Sequence, residues 1–227
     1  MAQKKKSSRS KSPRVRRGLL ITFEGTEGAG KSTLIRRLST ALQSQGLPVT
    51  VTREPGGSAL AEKIRGLILE NPMHPWTELF LYEAARSEHV QKTILPALQQ
   101  GQIVLCDRYT DSSIAYQGVA RGLPISAIQT LNHLATQGIT PRWTVWLDID
   151  PKKGLERASD PNRFEKEGVA FQTRVRQGFV RAMGLSRKRW LRIRVENQTP
   201  DEMTRWMLEQ IQPSLKPLIQ ALAAPKK

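Results

Sequence analysis

Apolar and polar positions along the chain fall into two kinds of segment. Five short runs rich in β-branched or aliphatic residues, LLITFE (19–24), VTVTR (49–53), IVLCD (103–107), WTVWLDI (143–149) and LRIRV (191–195), alternate with longer stretches whose apolar positions recur at helical spacing. A near-continuous apolar run suits a strand covered on both faces, and strands alternating with helices build a parallel sheet. The pattern therefore predicts an α/β fold, a five-stranded parallel sheet flanked by helices, with no internal repeat. Helices are predicted at about 31–45, closed by Gly46 and Pro48, at 58–70, ending before Pro72, and at 75–100, closed by Gly101. Others are predicted at about 124–137, 164–184 and 200–211. The polar stretch ERASDPNRFEKEG (156–168), with a proline after Asp160, reads as a loop or short lid.

Length and composition narrow the class. The 227 residues suit one domain with a single core, and no run of about eighteen apolar residues exists to span a bilayer. Cys106 is the only cysteine, which excludes an intrachain disulfide and a CxxC site and fits a reducing, cytoplasmic setting. His74, His89 and His133 are scattered without metal-ligand spacing, so no zinc site is expected. The net charge of +16 is half accounted for by residues 1–17, MAQKKKSSRSKSPRVRR, which hold eight Lys or Arg and no acid. Such a segment cannot build a core and is expected to be a disordered tail, with the fold beginning near Gly18. It reads as a solubilising or targeting extension; contact with nucleic acid or an anionic membrane stays open.

The most specific local pattern is GTEGAGKS, Gly25–Ser32, which satisfies G-x-x-x-x-G-K-[ST] between a strand and a helix. Gly25, Thr26, Glu27, Gly28, Ala29 and Gly30 form a loop whose N–H groups can turn onto phosphate oxygens. Lys31 can reach the terminal phosphates, Ser32 can ligate Mg²⁺, and Thr33 continues the helix whose positive end faces the anion. Asp107 closes the IVLCD strand, as expected for an acid that contacts the metal indirectly; an acid there is also a common cap. Cys106 reads as core.

Three further clusters carry an arginine each: TREPGG (52–57), LYEAARSEH (81–89) and DRYTDSSIAYQG (107–118). The first and third follow strands, at the end of the sheet where open α/β folds bind ligands. Tyr82 and Arg86, four apart on a helix, share a face and suit a planar base; the other reading packs Tyr82 in the core and pairs Arg86 with an acid.

In their order along the chain, FEGTEGAGKST, TREPGG, LYEAARSEHV, DRYTDSSIAYQG, WLDIDP and DPNRFE resemble the bacterial thymidylate kinase family over about residues 18–211. The resemblance implies transfer of the ATP γ-phosphoryl group to dTMP to give dTDP, with Mg²⁺, in dTTP biosynthesis, by a homodimer. It implies that Arg53 and Arg108 hold the dTMP phosphate and that Pro55 shapes the loop around it. Tyr82 would stack on thymine, Arg86 reach a base carbonyl, Ser113 and Gln117 meet the base edge, and Tyr116 crowd the sugar 2′ position. Glu27 would contact the 3′-hydroxyl or metal-bound water, its other reading being a solvated loop acid. Relatives often carry Phe at the position of Tyr82, and RIRVEN replaces a more usual Asp-Ala ending before the last helix.

The same family supplies a catalytic arginine from the loop or from the lid. The loop here holds none, so the lid is expected to deliver it, and its arginines are Arg157 and Arg163. The DPNRFE context points to Arg163, with Arg157 as a second or a helix-face residue, in a lid shorter than in comparable relatives. The expected plan is a tail over 1–17, a kinase domain over 18–212 with the lid at about 151–164, and a C-terminal tail over 213–227. The alternatives are another nucleoside or nucleotide kinase of the same fold, or a catalytically weak relative associated with nucleic acid.

Overall fold

The computed structural model describes residues 18–157, 163–164 and 166–223, the last three by backbone alone. The basic tail expected at 1–17 and lid residues 158–162 lie outside the described residues.

The five apolar runs form strands β1 (Leu19–Glu24), β2 (Val49–Arg53), β3 (Ile103–Asp107), β4 (Trp143–Asp148) and β5 (Trp190–Arg194), in the order β2-β3-β1-β4-β5. All neighbours are parallel, with Phe23 opposite Asp107 on β3 and Val145 on β4, and Arg53 opposite Asp107. That register ends β1, β2 and β3 at one edge, so the segments that follow them emerge side by side. Between β3 and β4 the strand order reverses around β1, which opens a crevice at its carboxyl end.

Alternation sorts each strand between two covered faces. Ile21, Phe23, Leu105, Val145 and Leu147 pack with Leu34, Leu38 and Leu42 of α1 (Lys31–Gln43) and with Met203, Met207 and Ile211 of the last helix. On the other face Leu20, Val104 and Cys106 meet Val90, Ile94 and Leu98, and Trp146 meets Phe171, Val175 and Phe179. Cys106 is a buried core thiol, as its sequence context implies. The edge strands are β2 and β5, and Val51 on β2 is accordingly 52% exposed.

Helices α2 (Ala59–Glu70) and α3 (Pro75–His89) follow β2, and α3 continues through a π-helical turn, Val90–Ile94, into α4 (Leu95–Gln99). Pro96 lacks the N–H that would meet the carbonyl of Lys92, which accounts for the widened turn ahead of it. The stretch after β3, where the sequence pattern predicts no helix, is α5 (Thr110–Ser113) running into a π-helical segment, Ile114–Ala120. It is followed by α6 (Ile125–Thr136), and α7 (Pro151–Arg157) covers the first half of the segment expected to be a lid. Then come α8 (Gly168–Leu185) and α9 (Pro200–Ala223). The last helix was expected to stop at residue 211, with a tail from 213. It runs on through Pro213 and Pro217, and Leu215 is only 3% exposed against the core, so packing outweighs the helix-breaking tendency of the prolines.

Candidate active site

The loop between β1 and α1 turns on three glycines with positive φ, Gly25, Gly28 and Gly30, of which Gly30 caps α1. At Gly28 a side chain is excluded twice over: φ is 69°, and a Cβ would lie 2.0 Å from the carbonyl oxygen of Gly154 on α7. A Cβ on Gly154 would in turn lie 2.6 Å from the carbonyl of Glu27. These two glycines let the phosphate loop and the lid helix touch backbone to backbone, which carries Arg157, at the end of α7, over the loop.

Lys31 is buried and folds back on the loop, its ammonium donating to the carbonyls of Gly25 and Thr26 at 3.1 Å each. Burial pushes its pKa down, and the nearby Arg108 adds to this. Gly25 and Thr26 thus serve the site through their carbonyls, whereas Ala29 is fully buried in the core beneath. Glu27, Gly28, Gly30, Lys31, Ser32 and Thr33 line an open cavity of about 1130 Å³, its mouth included. Arg53, Arg65, Arg108 and Arg157, with Glu54 and Asp107, complete its wall. Ser32 donates its hydroxyl to Asp107 at 3.5 Å, and the other Asp107 oxygen is buried without a partner among the described residues. No cluster of three or more metal-ligating side chains exists among the described residues. A hydroxyl beside a carboxylate with a spare oxygen fits a Mg²⁺ that takes most of its ligands from phosphate and water.

A second, narrower cleft of about 500 Å³, mouth included, adjoins the first. Glu27, Glu54, Arg65 and Arg108 line both, so the two clefts meet at two acids and two guanidinium groups. Arg108 sits at φ 68°, its N–H bonded to the Phe23 carbonyl at 2.9 Å, and this fixes it at the carboxyl end of β1. Its guanidinium donates to the Gly25 carbonyl at 3.0 Å and to Glu27, and lies 5.0 Å from the centre of the Tyr116 ring. Burial works to raise the Glu27 carboxyl, but the charges of Arg108 and Lys31 outweigh it and hold the group at about 2. Glu27 is therefore an ion-paired residue rather than a solvated loop acid. Behind this junction the Glu24 carboxyl accepts from the Tyr109 N–H and the Ser112 hydroxyl, and burial, with Asp111 adding, pushes it up to about 8.

The inner end of the second cleft is aromatic and apolar: Tyr82, Tyr116, Phe164 and Leu69, with Pro55 on the rim. Gln117 and Arg86 supply its polar atoms. Tyr82, Tyr116, Gln117, Pro55, Arg86 and Arg108, singled out separately in the sequence, thus share one cleft. Arg86 joins both of its sequence readings. It lines the cleft, yet it is fully buried and donates to Glu54, Glu83, Ser113, Asn132 and the Tyr109 carbonyl. Ser113 lies behind the cleft wall, between Arg86 and Glu83. Arg53 faces the phosphate cavity and pairs with Glu62 at 3.1 Å, outside the second cleft.

The expectation that Arg163 is the lid arginine over the phosphates is not met by its position. Its Nε donates to the Ile68 carbonyl at 2.6 Å, its Nη2 pairs with Glu78 at 2.6 Å, and it stacks 4.4 Å from the centre of the Phe164 ring. A buried carboxylate on α3 captures it, and Arg157 is the lid arginine that lines the phosphate cavity. Sequence reasoning missed Arg65, which lines both clefts and donates to the Pro55 carbonyl at 3.0 Å, because mid-helix arginines ordinarily belong to a solvated face. It also missed Ser112 and Glu78; only the neighbouring serine in DRYTDSS was singled out.

A doubly covered parallel sheet, a phosphate loop after its central strand and a second nucleotide-sized cleft joined to the first through arginines define a P-loop nucleotide kinase. The family model for thymidylate kinase matches residues 23–205. The chain belongs to the thymidylate kinase family. It is 45% identical over 198 residues to a thymidylate kinase of Synechococcus sp. (strain JA-2-3B'a(2-13)), covering 87% of this chain and 96% of that one. It is 46% identical over 174 residues to that of Bacillus velezensis, covering 73% and 82%. A crystal structure of thymidylate kinase from Ehrlichia chaffeensis is similar with a TM-score of 0.70 at 33% identity, over 87% of this chain and 99% of that one.

Proposed function

We propose that the chain transfers the γ-phosphoryl group of ATP to dTMP, giving dTDP for dTTP synthesis, and that the two clefts are the donor and acceptor sites. The single observation that carries this reading is the shared wall: Arg108 and Arg65 line both clefts, so phosphates entering from either side meet at the same guanidinium groups. Phosphoryl transfer asks mainly for positioning and charge stabilisation, because the loose transition state spreads negative charge over equatorial oxygens. The acceptor phosphate is already a nucleophile, so no protein base is needed.

Lys31 and the loop N–H groups hold the donor phosphates, Arg108 and Arg65 hold the acceptor phosphate, and Arg157 supplies the lid charge. Ser32 and Asp107 would hold Mg²⁺, which would supply positive charge to offset that of the phosphates. Glu27 keeps Arg108 aimed at the junction. Tyr82 and Tyr116 enclose the base and sugar, with Gln117 and Arg86 at the polar edge of the base.

The homodimer implied by the family is supported by α2, α3 and α6, adjacent helices that leave Leu60, Leu67, Phe80 and Leu134 more than half exposed. No described helix is long and apolar enough to cross a membrane. We assign the protein to the cytoplasm on its single, buried cysteine and the nucleotide substrates, and take 18–223 as the catalytic unit, because Leu215 packs in the core. A coupled ADP-release assay over dTMP, dCMP, AMP and thymidine tests the reading. Preference for dTMP is expected; a flat response, or preference for thymidine, would reject it.

A further inference from the structure

The acceptor cleft ends on Gln117, and a residue outside the cleft dictates which end of that amide the cleft presents. Gln117 is 1% exposed and donates its Nε2 to Glu78 Oε1 at 2.7 Å. Glu78, in the first turn of α3, is fully buried. Its second oxygen accepts from Arg163 at 2.6 Å and from Arg121 at 3.3 Å, and Arg121 Nε reaches the first at 3.4 Å.

The clamp is anchored from several directions. Arg163 is tied to the Ile68 carbonyl at the end of α2, and Arg121 also pairs with Glu167 ahead of α8. Held against two guanidinium groups, Glu78 offers acceptors only, so Gln117 must turn its NH₂ toward it. The amide oxygen is then what Gln117 has left for the cleft, and no donor among the described residues pairs with that oxygen.

We infer that Glu78 is a positioning residue for base selectivity: by clamping the Gln117 amide it makes the cleft present a hydrogen-bond acceptor, which pairs with the ring N–H of thymine and opposes the ring nitrogen of cytosine. Thymine carries a donor at that ring position, whereas cytosine carries an acceptor there. Two acceptors facing each other in a water-poor cleft leave both unpaired, and sites built on such a bond reject the mismatched analogue strongly. The inference rests on the reading of this cleft as the dTMP site.

The test measures Kd for dTMP and dCMP by titration calorimetry on the full chain, wild type against Glu78→Gln, alone and in a Gln117→Met background. A carboxamide at 78 can donate as well as accept, so Gln117 is freed to turn either end to the cleft. The dTMP preference should fall by about tenfold or more in Glu78→Gln, mainly through tighter dCMP, and should not change further with Gln117→Met. Glu78→Asp keeps the charge facing Arg121 and Arg163 while withdrawing it from Gln117, so it carries the same expectation if Glu78→Gln does not fold. An unchanged preference in the folded variants, or an equal fall with Gln117→Met present, overturns the role of Glu78. A wild-type chain that binds neither nucleotide instead rejects the dTMP reading, which separates the two failures.

Discussion

Arg157→Met should cripple turnover while leaving acceptor binding almost intact. Of the five cations on the phosphate cavity, Arg53 is paired with Glu62, Arg108 with Glu27, Arg65 with the Pro55 carbonyl, and Lys31 with two loop carbonyls. Arg157 alone has no carboxylate or carbonyl partner among the described residues, and Gly154 and Gly28 seat its helix directly on the loop. An arginine brought to the transferring phosphoryl group is worth about 10³–10⁵ in kcat. Arg157 is solvent-exposed, which favours the lower end of that range: about 10³, or ~4 kcal/mol of transition-state stabilisation. Arg163→Met serves as the contrast, because its guanidinium is committed to Glu78 and Ile68, and its kcat should fall by less than about tenfold. Coupled ADP release at saturating ATP and dTMP reads both. Near-normal kcat in Arg157→Met with a collapse in Arg163→Met would refute the assignment and restore Arg163 as the lid arginine.

Three further expectations follow from buried groups and close backbone contacts. Folded Glu24 holds its proton to about 8, whereas an ordinary glutamate releases it near 4.5, so the contribution of this group to stability is complete below 4.5 and is lost as pH rises through 8. At about 1.4 kcal/mol per pH unit the loss is roughly 4–5 kcal/mol; Glu24→Gln should flatten the fall of Tm between pH 5 and 8, and parallel curves for the two proteins would contradict this. Removing the Arg86 guanidinium strands Glu54 and Glu83, which are 4% and 7% exposed, and Arg86→Met should cost about 3–5 kcal/mol in a urea titration; a midpoint unchanged from wild type would deny its bridging role. Gly154→Ala should raise KM for ATP by about tenfold or more with unchanged circular dichroism, because its methyl would press on the Glu27 carbonyl; an unaltered KM would show that loop and lid do not depend on that contact.

Much of the fold was legible because parallel strands buried on both faces must be apolar throughout, and β1 and β3 sit where their runs predict. The phosphate loop was legible for a related reason: its glycines and lysine are demanded by local geometry. The stretch 110–120 was not, since Thr, Asp and Ser are poor helix formers, and what holds them helical is the packing of Ile114, Ala115 and Tyr116 beside Phe171 and Phe179. The extension of α9 was hidden by its prolines for the same reason. Within the site, the residues of one cleft could be named individually, but their pairings could not. Glu78 lies 85 residues from Arg163 and 39 from Gln117, and nothing local to any of the three records that they meet. That long-range pairing holds Arg163 away from the phosphate cavity, which Arg157 lines instead, and a separate set of distant partners, Glu54, Ser113 and Asn132, makes Arg86 a hub that braces the cleft wall.

The claim that two clefts exchange a phosphoryl group across Arg108 is tested most directly by following the label. ATP labelled at the γ-phosphate is incubated with the full chain, Mg²⁺ and dTMP, and the products are resolved by ion-exchange chromatography. The account predicts labelled dTDP accumulating in step with ADP, with dTMP consumed in preference to dCMP and AMP. Label released as inorganic phosphate, or passed equally to every monophosphate offered, would contradict it.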